Sequence, residues 1–208
     1  VTLLPVDPFY RLCWEDGTVF DYADDQDAIE RQIAAISPGD VAGYRRFLAY
    51  SRAVYREGYE KLGAVPFLHF SDMIRAAPQL ARLQAWRSVH AMVARHIRDE
   101  RLRQAFSFHT LLVGGNPFST SAIYALIHAL ERKGGVWFAK GGTGALVAGM
   151  VRHFQRLGGT LRLNSPVERI ETEGRRATAI HAGGGRHAFD VIASNADVVH
   201  TYLSLIHI

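Results

Sequence analysis

A glycine-rich stretch, KGGTGAL at residues 140–146, has the composition of a phosphate-binding turn. A dinucleotide-binding loop requires Gly-x-Gly-x-x-Gly between a buried strand and a helix, because glycine lets the backbone approach a pyrophosphate. Gly142 and Gly144 fit the first two positions, but the bulky Val147 occupies the third. The spacing therefore argues against a phosphate cradle and favours a turn that lets the backbone approach some flat or apolar group.

A carboxylate and a guanidinium lie three residues apart in FSDMIRAAP, at Asp72 and Arg75. Residues at i and i+3 share one face of a helix, so the pair could assist a proton transfer beside a bound substrate. An aspartate that stabilises a helix N-terminus, with an arginine one turn later, produces the same pattern. The residues alone leave both interpretations open.

Other common catalytic and binding patterns do not occur in the sequence. The ten histidines contain no His-x-x-x-His pair and no other metal-ligand spacing. Cys13 is the single cysteine, so an intrachain disulfide is excluded, and it has no base nearby in sequence. No nucleic-acid-binding module is recognisable, so the net charge of +4 points to a membrane surface more than to nucleic acid.

The overall composition is that of a folded protein that does not cross a bilayer. Of the 208 residues 48% are hydrophobic and 21% charged, and no run of about 18 apolar residues is present. A cytoplasmic protein that associates peripherally with membranes is expected. The chain begins at Val1 and ends in the apolar LSLIHI, which indicates an internal piece of a longer protein.

The first third of the chain predicts a hairpin and two helices. FYRLCW and TVFDY flank Asp16-Gly17, which predicts a hairpin over residues 9–22 with a tight two-residue turn. A short helix is predicted over 25–36. A second helix is predicted from Ser37, as capping residue, to about residue 62, where Gly63 and Pro66 follow.

The middle of the chain is predicted to be helical and rich in arginine. One helical region runs from Ser71 to about Val113 with an interruption at Pro78, and another from Ser119 to Glu131. Apolar residues alternate with arginines in an amphipathic pattern, which is typical of a helix packed on a core and also of an interfacial membrane helix. The arginines are Arg75, Arg82, Arg87, Arg95, Arg98, Arg101 and Arg103.

From residue 136 the pattern changes to alternating strands and helices. A strand over 136–139, a helix over about 143–157 and strands near 160–163, 166–170, 177–182 and 187–193 are predicted. The fold class is therefore mixed, α+β with an α/β part. Two regions are expected: a mainly helical substrate-binding region with an N-terminal hairpin over 1–135, and an α/β region over 136–208.

Extended phrases, rather than single motifs, carry a family resemblance. AFSFHTLLVGGNPFSTSAIYALIHALERKGGVWFAKGGTGALVAGM, LGGTLRLNSPVERIET and ASNADVVHTY resemble the bacterial-type phytoene desaturases, FAD-dependent enzymes of the amine oxidase superfamily. The resemblance covers nearly the whole chain and lacks the family's N-terminal Rossmann loop and its C-terminal part. Only the final LSLIHI departs from it.

This resemblance implies an activity, a cofactor and partners. Enzymes of the family use FAD to remove hydride from a carbon next to a double bond of phytoene, and a proton leaves the adjacent carbon. The implied partners are phytoene or a similar hydrophobic polyene and a membrane surface, and a homo-oligomer is left open. Without the Rossmann loop, the isolated chain is expected to be inactive.

The resemblance also implies roles for particular residues. The backbone of Val167, in the strand SPVERI, would meet the flavin adenine, and Asn195 and Ala196 would approach the ribose and phosphates. Gly141 and Gly142 would form a turn near flavin and substrate. Asp72 and Arg75 match an acidic and basic pair suspected to lie near the flavin head, although Ser71 stands where a basic residue is common.

Two alternatives stay open beside this enzyme. One is a non-enzymatic helical module that binds lipid or membrane and never meets a flavin. The other is a related flavin-dependent desaturase or isomerase acting on another polyene, which would differ only in the shape of its pocket.

Overall fold

The computed structural model describes residues 1–206, and residues 207–208 at the end of LSLIHI lie outside the described part. Residue contacts divide the chain into two compact units, Val1–Gly142 and a second unit that begins at Thr143. Both helices and strands are present, which confirms the mixed fold class.

The N-terminal hairpin is formed by strands β2 (Tyr10–Cys13) and β3 (Val19–Tyr22), which pair antiparallel as predicted. The connection is longer than the expected two-residue turn. The Trp14 amide donates to the Thr18 carbonyl at 3.0 Å, so residues 14–18 form the loop. Gly17 supplies the left-handed conformation, with φ of 83°, that closes it.

Helices α1 (Gln26–Ile36) and α2 (Val41–Val54) follow, and α2 continues as a π-helical segment over Tyr55–Lys61. The Asp25 side chain caps α1 through the amide of Ala28. The predicted cap at Ser37 is wrong, since its side chain makes no capping hydrogen bond and a short 3₁₀ turn, Pro38–Asp40, follows it instead.

Helix α3 (Phe70–Arg82) contains Pro78 without interruption, so the predicted break at this proline is wrong. The carbonyl that a proline leaves without a donor lies four residues earlier, at Ile74, which is exposed to water that can satisfy it. The chain leaves the helix at Gln84, whose φ of 54° is incompatible with a right-handed turn.

Shorter helical elements complete the first unit. They are α4 (Val89–Ala94), α5 (Glu100–Ser107), α6 (Leu126–Gly134) and 3₁₀ turns over Phe108–Val113 and Ala122–Ala125. Together with α2 and the hairpin they enclose a core rich in aromatic side chains, each contributing about 1.5–3 kcal/mol by burial. The largest of these buried side chains are Phe20, Tyr22, Tyr44, Phe47 and Phe106.

Strand β4 (Trp137–Ala139) belongs to the first unit because it pairs antiparallel with β1 (Leu3–Pro5). The first unit therefore ends at Gly142, after this strand, and not at residue 135 as predicted.

The second unit contains helix α7 (Gly142–Arg156) from Thr143 onward. It also contains an antiparallel sheet in the order β5 (Val167–Glu173), β6 (Arg176–Ala182), β7 (Gly185–Ala188). A short helix, α8 (Val198–His200), and a π-helical turn, Thr201–Leu205, follow. The predicted strand at 160–163 does not form, and β7 ends before the predicted residue 193.

The segment before β5 contains two residues that oppose strand pairing. Asn164 has a φ of 53°, and Pro166 lacks the amide that a strand ladder needs. The sheet therefore begins only at Val167.

Candidate functional site

Three of the predicted flavin residues line one cavity in the second unit. The cavity has a volume of about 410 Å³, and Val167, Asn195 and Ala196 all contribute to its wall. The other lining residues are aliphatic or aromatic apart from Ser194, and none of the lining residues is charged.

Val167 begins strand β5, which lies at one edge of the sheet. Within residues 1–206 this strand pairs with β6 alone, so its other edge presents backbone N–H and C=O groups. A free strand edge can read the hydrogen-bonding edge of a purine without regard to side chains.

Asn195 and Ala196 lie in a turn that its neighbours fix in place. The Ser194 and Thr201 hydroxyls are 2.9 Å apart, and the Asp197 carboxylate accepts the His200 amide at 2.9 Å. The turn therefore lies between a loop and a capped helix start, a position from which backbone groups can face a ligand.

The cavity suits one end of FAD better than the other. Its apolar walls and free strand edge fit a flat adenine and the neutral ribose, while phosphates need cationic or backbone N–H donors. These second-unit residues could hold the adenine side of the cofactor.

The glycine turn at residues 140–142 connects strand β4 to helix α7. Gly141 and Gly142 have φ of 89° and 80°, and any residue with a side chain would be strained at these backbone angles. A Cβ on Gly142 would meet no atom within 4 Å, so conformation rather than crowding requires glycine. Because β4 pairs antiparallel with β1, the turn lacks the parallel βαβ setting of a Rossmann loop, in agreement with the prediction.

Asp72 lies in the first turn of α3, and Arg75 lies one turn later on the same face. The Asp72 carboxylate accepts the His69 amide at 3.1 Å with one oxygen and faces Nη1 of Arg75 at 3.3 Å with the other. The Asp72 side chain is 19% exposed and that of Arg75 80%. The pair borders a groove of about 370 Å³ that also includes Phe67 and Gln79.

A buried polar cluster in the first unit was not predicted. Its members come from the hairpin, the 3₁₀ turn after α5, and α6: Tyr10, Tyr22, His109, His128 and Glu131. The Tyr22 hydroxyl lies 2.8 Å from His128 Nδ1, and His128 Nε2 lies 2.9 Å from the Phe106 carbonyl oxygen. The Tyr10 hydroxyl donates to the Glu131 carboxylate.

His109 and Glu131 face each other inside this cluster without a well-aligned hydrogen bond. His109 Nε2 and Glu131 Oε2 are 3.2 Å apart, and both atoms are buried. Burial lowers the pKa of His109 to about 3 and the pKa of His128 well below its usual value. Burial also raises the pKa of Glu131 and that of Tyr10, so neutral forms are favoured throughout.

The sequence carries one weak signal for this cluster. His109 and His128 stand in the apolar phrases FHTLL and LIHAL, where a polar side chain must find partners if the phrase is buried. Among residues 1–206 no group of three or more His, Cys, Asp or Glu side chains is arranged to hold a metal ion. The hydrogen bonds made by Tyr10, Tyr22 and His128 place the cluster within the core of the first unit.

Comparison with known proteins identifies the family. The family of flavin containing amine oxidoreductases matches residues 1–204. The chain is 64% identical over 207 residues to a lycopene-forming phytoene desaturase of Pantoea ananas, covering 99% of this chain and 42% of that protein. The chain belongs to the flavin containing amine oxidoreductase family, which supports FAD as its cofactor.

More distant relatives share the same segment. The chain is 40% identical to a neurosporene-forming phytoene desaturase of Cereibacter sphaeroides, over 99% of this chain and 40% of that protein. It is 32% identical to a 4,4'-diapolycopen-4-al dehydrogenase of Metabacillus indicus, over 94% of this chain and 40% of that protein. The chain thus spans about two fifths of the length of the curated relatives it matches.

Within the described part of the chain, every helix is too short or too polar to span a bilayer.

Proposed function

We propose that this chain forms the substrate region and part of the FAD-binding region of a phytoene desaturase, which introduces double bonds into phytoene in carotenoid biosynthesis. The observation that carries the proposal is the 64% identity to a lycopene-forming enzyme over 99% of the chain. Membership of a flavin-containing family weighs against the alternative of a non-enzymatic lipid-binding module.

Within this proposal the second unit holds the adenine side of FAD. Val167 offers the free edge of β5, and the turn at Asn195 and Ala196 closes the same uncharged cavity. Bound FAD supplies the hydride acceptor that the reaction needs. Gly141 and Gly142 let the backbone approach the flavin or the polyene closely, because neither carries a side chain.

Asp72 and Arg75 are proposed to assist removal of the proton that accompanies the hydride. Support comes from their contact with each other and from the groove that both line, which is also lined by the apolar side chains of Leu62, Val65 and Phe67. For this role a carboxylate oxygen of Asp72 must face the substrate with its second lone pair, because each oxygen already accepts one hydrogen bond.

The first unit is proposed to dock on a membrane surface, where the polyene dissolves. Phe67, Leu68, Phe70, Met73 and Ile74 are exposed at the start of α3, with Phe70 at 80%. The arginines from 75 to 103 add attraction to anionic lipid of about 1 kcal/mol for each residue that reaches the surface.

Sedimentation of the chain with anionic liposomes should weaken as salt rises, and equal binding to neutral and anionic vesicles at all salt levels would contradict the electrostatic part.

A hybrid enzyme tests the proposed activity. In the hybrid this chain replaces the matching segment of the Pantoea ananas desaturase. The expected result is bound flavin and conversion of phytoene into a coloured polyene in liposomes, with the parent enzyme as control. A hybrid that holds flavin but leaves phytoene unchanged contradicts the proposal.

The second candidate is a related flavin-dependent desaturase or isomerase of another polyene. Its support is the 30% identity to an all-trans-zeta-carotene desaturase of Myxococcus xanthus, over 99% of this chain and 39% of that protein. Offering the flavin-loaded hybrid phytoene and all-trans-zeta-carotene separates the two candidates, because conversion of zeta-carotene without conversion of phytoene favours the second.

A further inference from the structure

A basic cavity opens between the C-terminal part of α2, the π-helical segment after it, and α6, which packs against α2. Its volume is about 500 Å³, and it lies entirely within the first unit. Four cationic side chains line it beside one carboxylate, that of Glu60. The four are Arg52, Arg56, Arg132 and Lys133.

Helix electrostatics explain only part of this arrangement. Arg132 and Lys133 lie in the last turn of α6 and Arg52 in the last turn of α2, where cations interact favourably with the helix dipole. That preference does not require them to face one cavity. Arg52 and Arg56 are four residues apart on one helix face, a spacing at which like charges repel.

The neighbouring groups neutralise one of the four cations. Lys133 Nζ lies 2.8 Å from the Glu60 carboxylate and 5.1 Å from the centre of the Tyr55 ring. Arg132 Nη1 lies 3.3 Å from the Ala23 carbonyl oxygen and 3.5 Å from the Tyr44 hydroxyl. It makes no direct ion pair within residues 1–206, and Glu30 and Asp25 compensate its charge only at longer range.

The other two arginines have no partner in the described part of the chain. Neither Arg52 nor Arg56 makes a side-chain hydrogen bond or ion pair among residues 1–206. A guanidinium presents a planar fork of donors that matches two oxygens of a phosphate group. The cavity therefore carries three cations, at 52, 56 and 132, with donors to spare.

Apolar side chains also line the cavity. Leu48 and Ala129 are buried members of its wall, and Tyr55 stacks on Tyr59 with ring centres 5.2 Å apart. An apolar lining lowers the local dielectric and strengthens attraction between the cations and an anion. Neither an uncharged polyene nor the uncharged cavity at Val167 uses these cations.

From this geometry we propose that the basic cavity, whose lining includes Leu48 and Ala129, binds the phosphate group of an anionic ligand through Arg52, Arg56 and Arg132. The ligand is a phosphate ester, either a lipid headgroup or a soluble compound. This inference does not rest on the desaturase proposal, because it uses only side chains of the first unit.

Two probes distinguish the sources of phosphate. Inorganic pyrophosphate, titrated calorimetrically into the full chain at physiological salt, represents soluble ligands. Flotation with phosphatidylcholine vesicles, with and without phosphatidic acid, represents the headgroup. Binding of either probe through the cavity arginines supports the site and names its source, and binding of neither overturns it.

Paired double variants locate the binding. R52Q/R56Q removes two charges from the cavity, and R31Q/R46Q removes two exposed charges from α1 and α2 outside it. Charge-assisted hydrogen bonds predict that R52Q/R56Q weakens binding at least about tenfold, while R31Q/R46Q changes it less than about twofold. Equal weakening by both pairs would mean diffuse charge attraction and would overturn the site, with circular dichroism as the folding control.

Discussion

Asp72 stabilises its own helix before it meets any ligand. Its carboxylate accepts a backbone amide at the helix start and faces an arginine on the next turn. The ion pair contributes little, less than about 1 kcal/mol, because Arg75 is largely in water. A structural role and a catalytic role therefore predict very different consequences of removing the charge.

Replacing Asp72 by asparagine separates these roles in the hybrid enzyme. Asparagine still accepts the His69 amide, so helix α3 should keep its start. If Asp72 assists proton removal, turnover of phytoene should fall by about 10²–10⁴ while flavin content stays normal. If the residue only stabilises the helix, turnover survives.

Asp27→Asn is the matched control, because Asp27 is an exposed aspartate in the first turn of α1. Arg75→Ala should resemble Asp72→Asn if the two act as a unit, with the double variant no worse than either alone. Near-normal turnover of Asp72→Asn would remove this residue from the proposed chemistry.

The sequence pointed to residues of the cavity in the second unit but not to the buried polar cluster of the first, and the difference has a physical reason. The family resemblance carried Val167, Asn195 and Ala196, and the structure gathers all three around one cavity. His109 and His128 were missed because their burial depends on packing against the hairpin, which lies about a hundred residues earlier. Local sequence does not encode such distant partners.

At the scale of elements, the contact between α2 and the end of α4 depends on the absence of one side chain. A Cβ built on Gly43 would lie 1.9 Å from the carbonyl oxygen of His96, a backbone atom that cannot rotate away. Glycine at this position lets the two segments touch and lets Ile97 enter the core.

Gly43→Ala should therefore destabilise the first unit. Overpacking costs about 1–3 kcal/mol, and better helix propensity returns at most about 1 kcal/mol. Urea unfolding of the full chain, followed by tryptophan fluorescence, measures the difference, since Trp14, Trp86 and Trp137 all lie in this unit.

Gly58→Ala is the control, because its added Cβ would meet Leu126 and Ile123 only at ordinary contact distances of 3.5 and 3.6 Å. This variant should be neutral or slightly more stable. If Gly43→Ala also proved neutral, the close approach of α2 to His96 would be refuted.

Helix boundaries were predicted correctly where neighbouring residues in the sequence determine them, and incorrectly where a distant contact does. The helix predicted over 25–36 matches α1, although its capping residue, Asp25, was not predicted. The predicted start of α2 failed, because Asp40 uses both carboxylate oxygens to accept the amides of Arg98 and Asp99, each at 2.8 Å. That tertiary contact, rather than the Ser37 side chain, anchors the helix start.

At the scale of the whole molecule, the uneven distribution of charge matters more than the net value of +4. Cations gather around the basic cavity, while the buried polar cluster holds its ionisable groups neutral. Folding therefore changes proton binding, and the stability of the first unit must depend on pH.

The sign of this dependence follows from each group. The unfolded chain binds protons at His109 and His128 below about pH 6.5, while the folded chain does not until far lower pH, about 3 for His109. Their contribution is fully present above pH 6.5 and is lost as pH falls from there. Glu131 opposes them, because its raised pKa keeps a proton in the folded state that the unfolded state releases above about pH 4.5.

Between pH 5 and 6.5 an ion-paired carboxylate such as Glu30 does not change the pH dependence of stability. Arg45 lowers the pKa of Glu30 to about 2, so the stability that Glu30 contributes is lost only in more acidic solution. The free energy of unfolding should thus fall as pH falls through this window. Each buried histidine contributes a slope of at most about 1.4 kcal/mol per pH unit, and Glu131 subtracts up to the same amount.

Variants of the cluster test this assignment by changing the slope in opposite directions. In urea unfolding followed by tryptophan fluorescence, His109→Gln should flatten the dependence on pH, because one proton-binding site of the unfolded chain disappears. Glu131→Gln should steepen it, because the opposing carboxyl is gone. His153→Gln, on exposed α7 in the second unit, should leave the slope as it is. If His109→Gln kept the slope of the parent chain, His109 would already be charged in the folded state, and the cluster would be an ion pair with Glu131 rather than a neutral network.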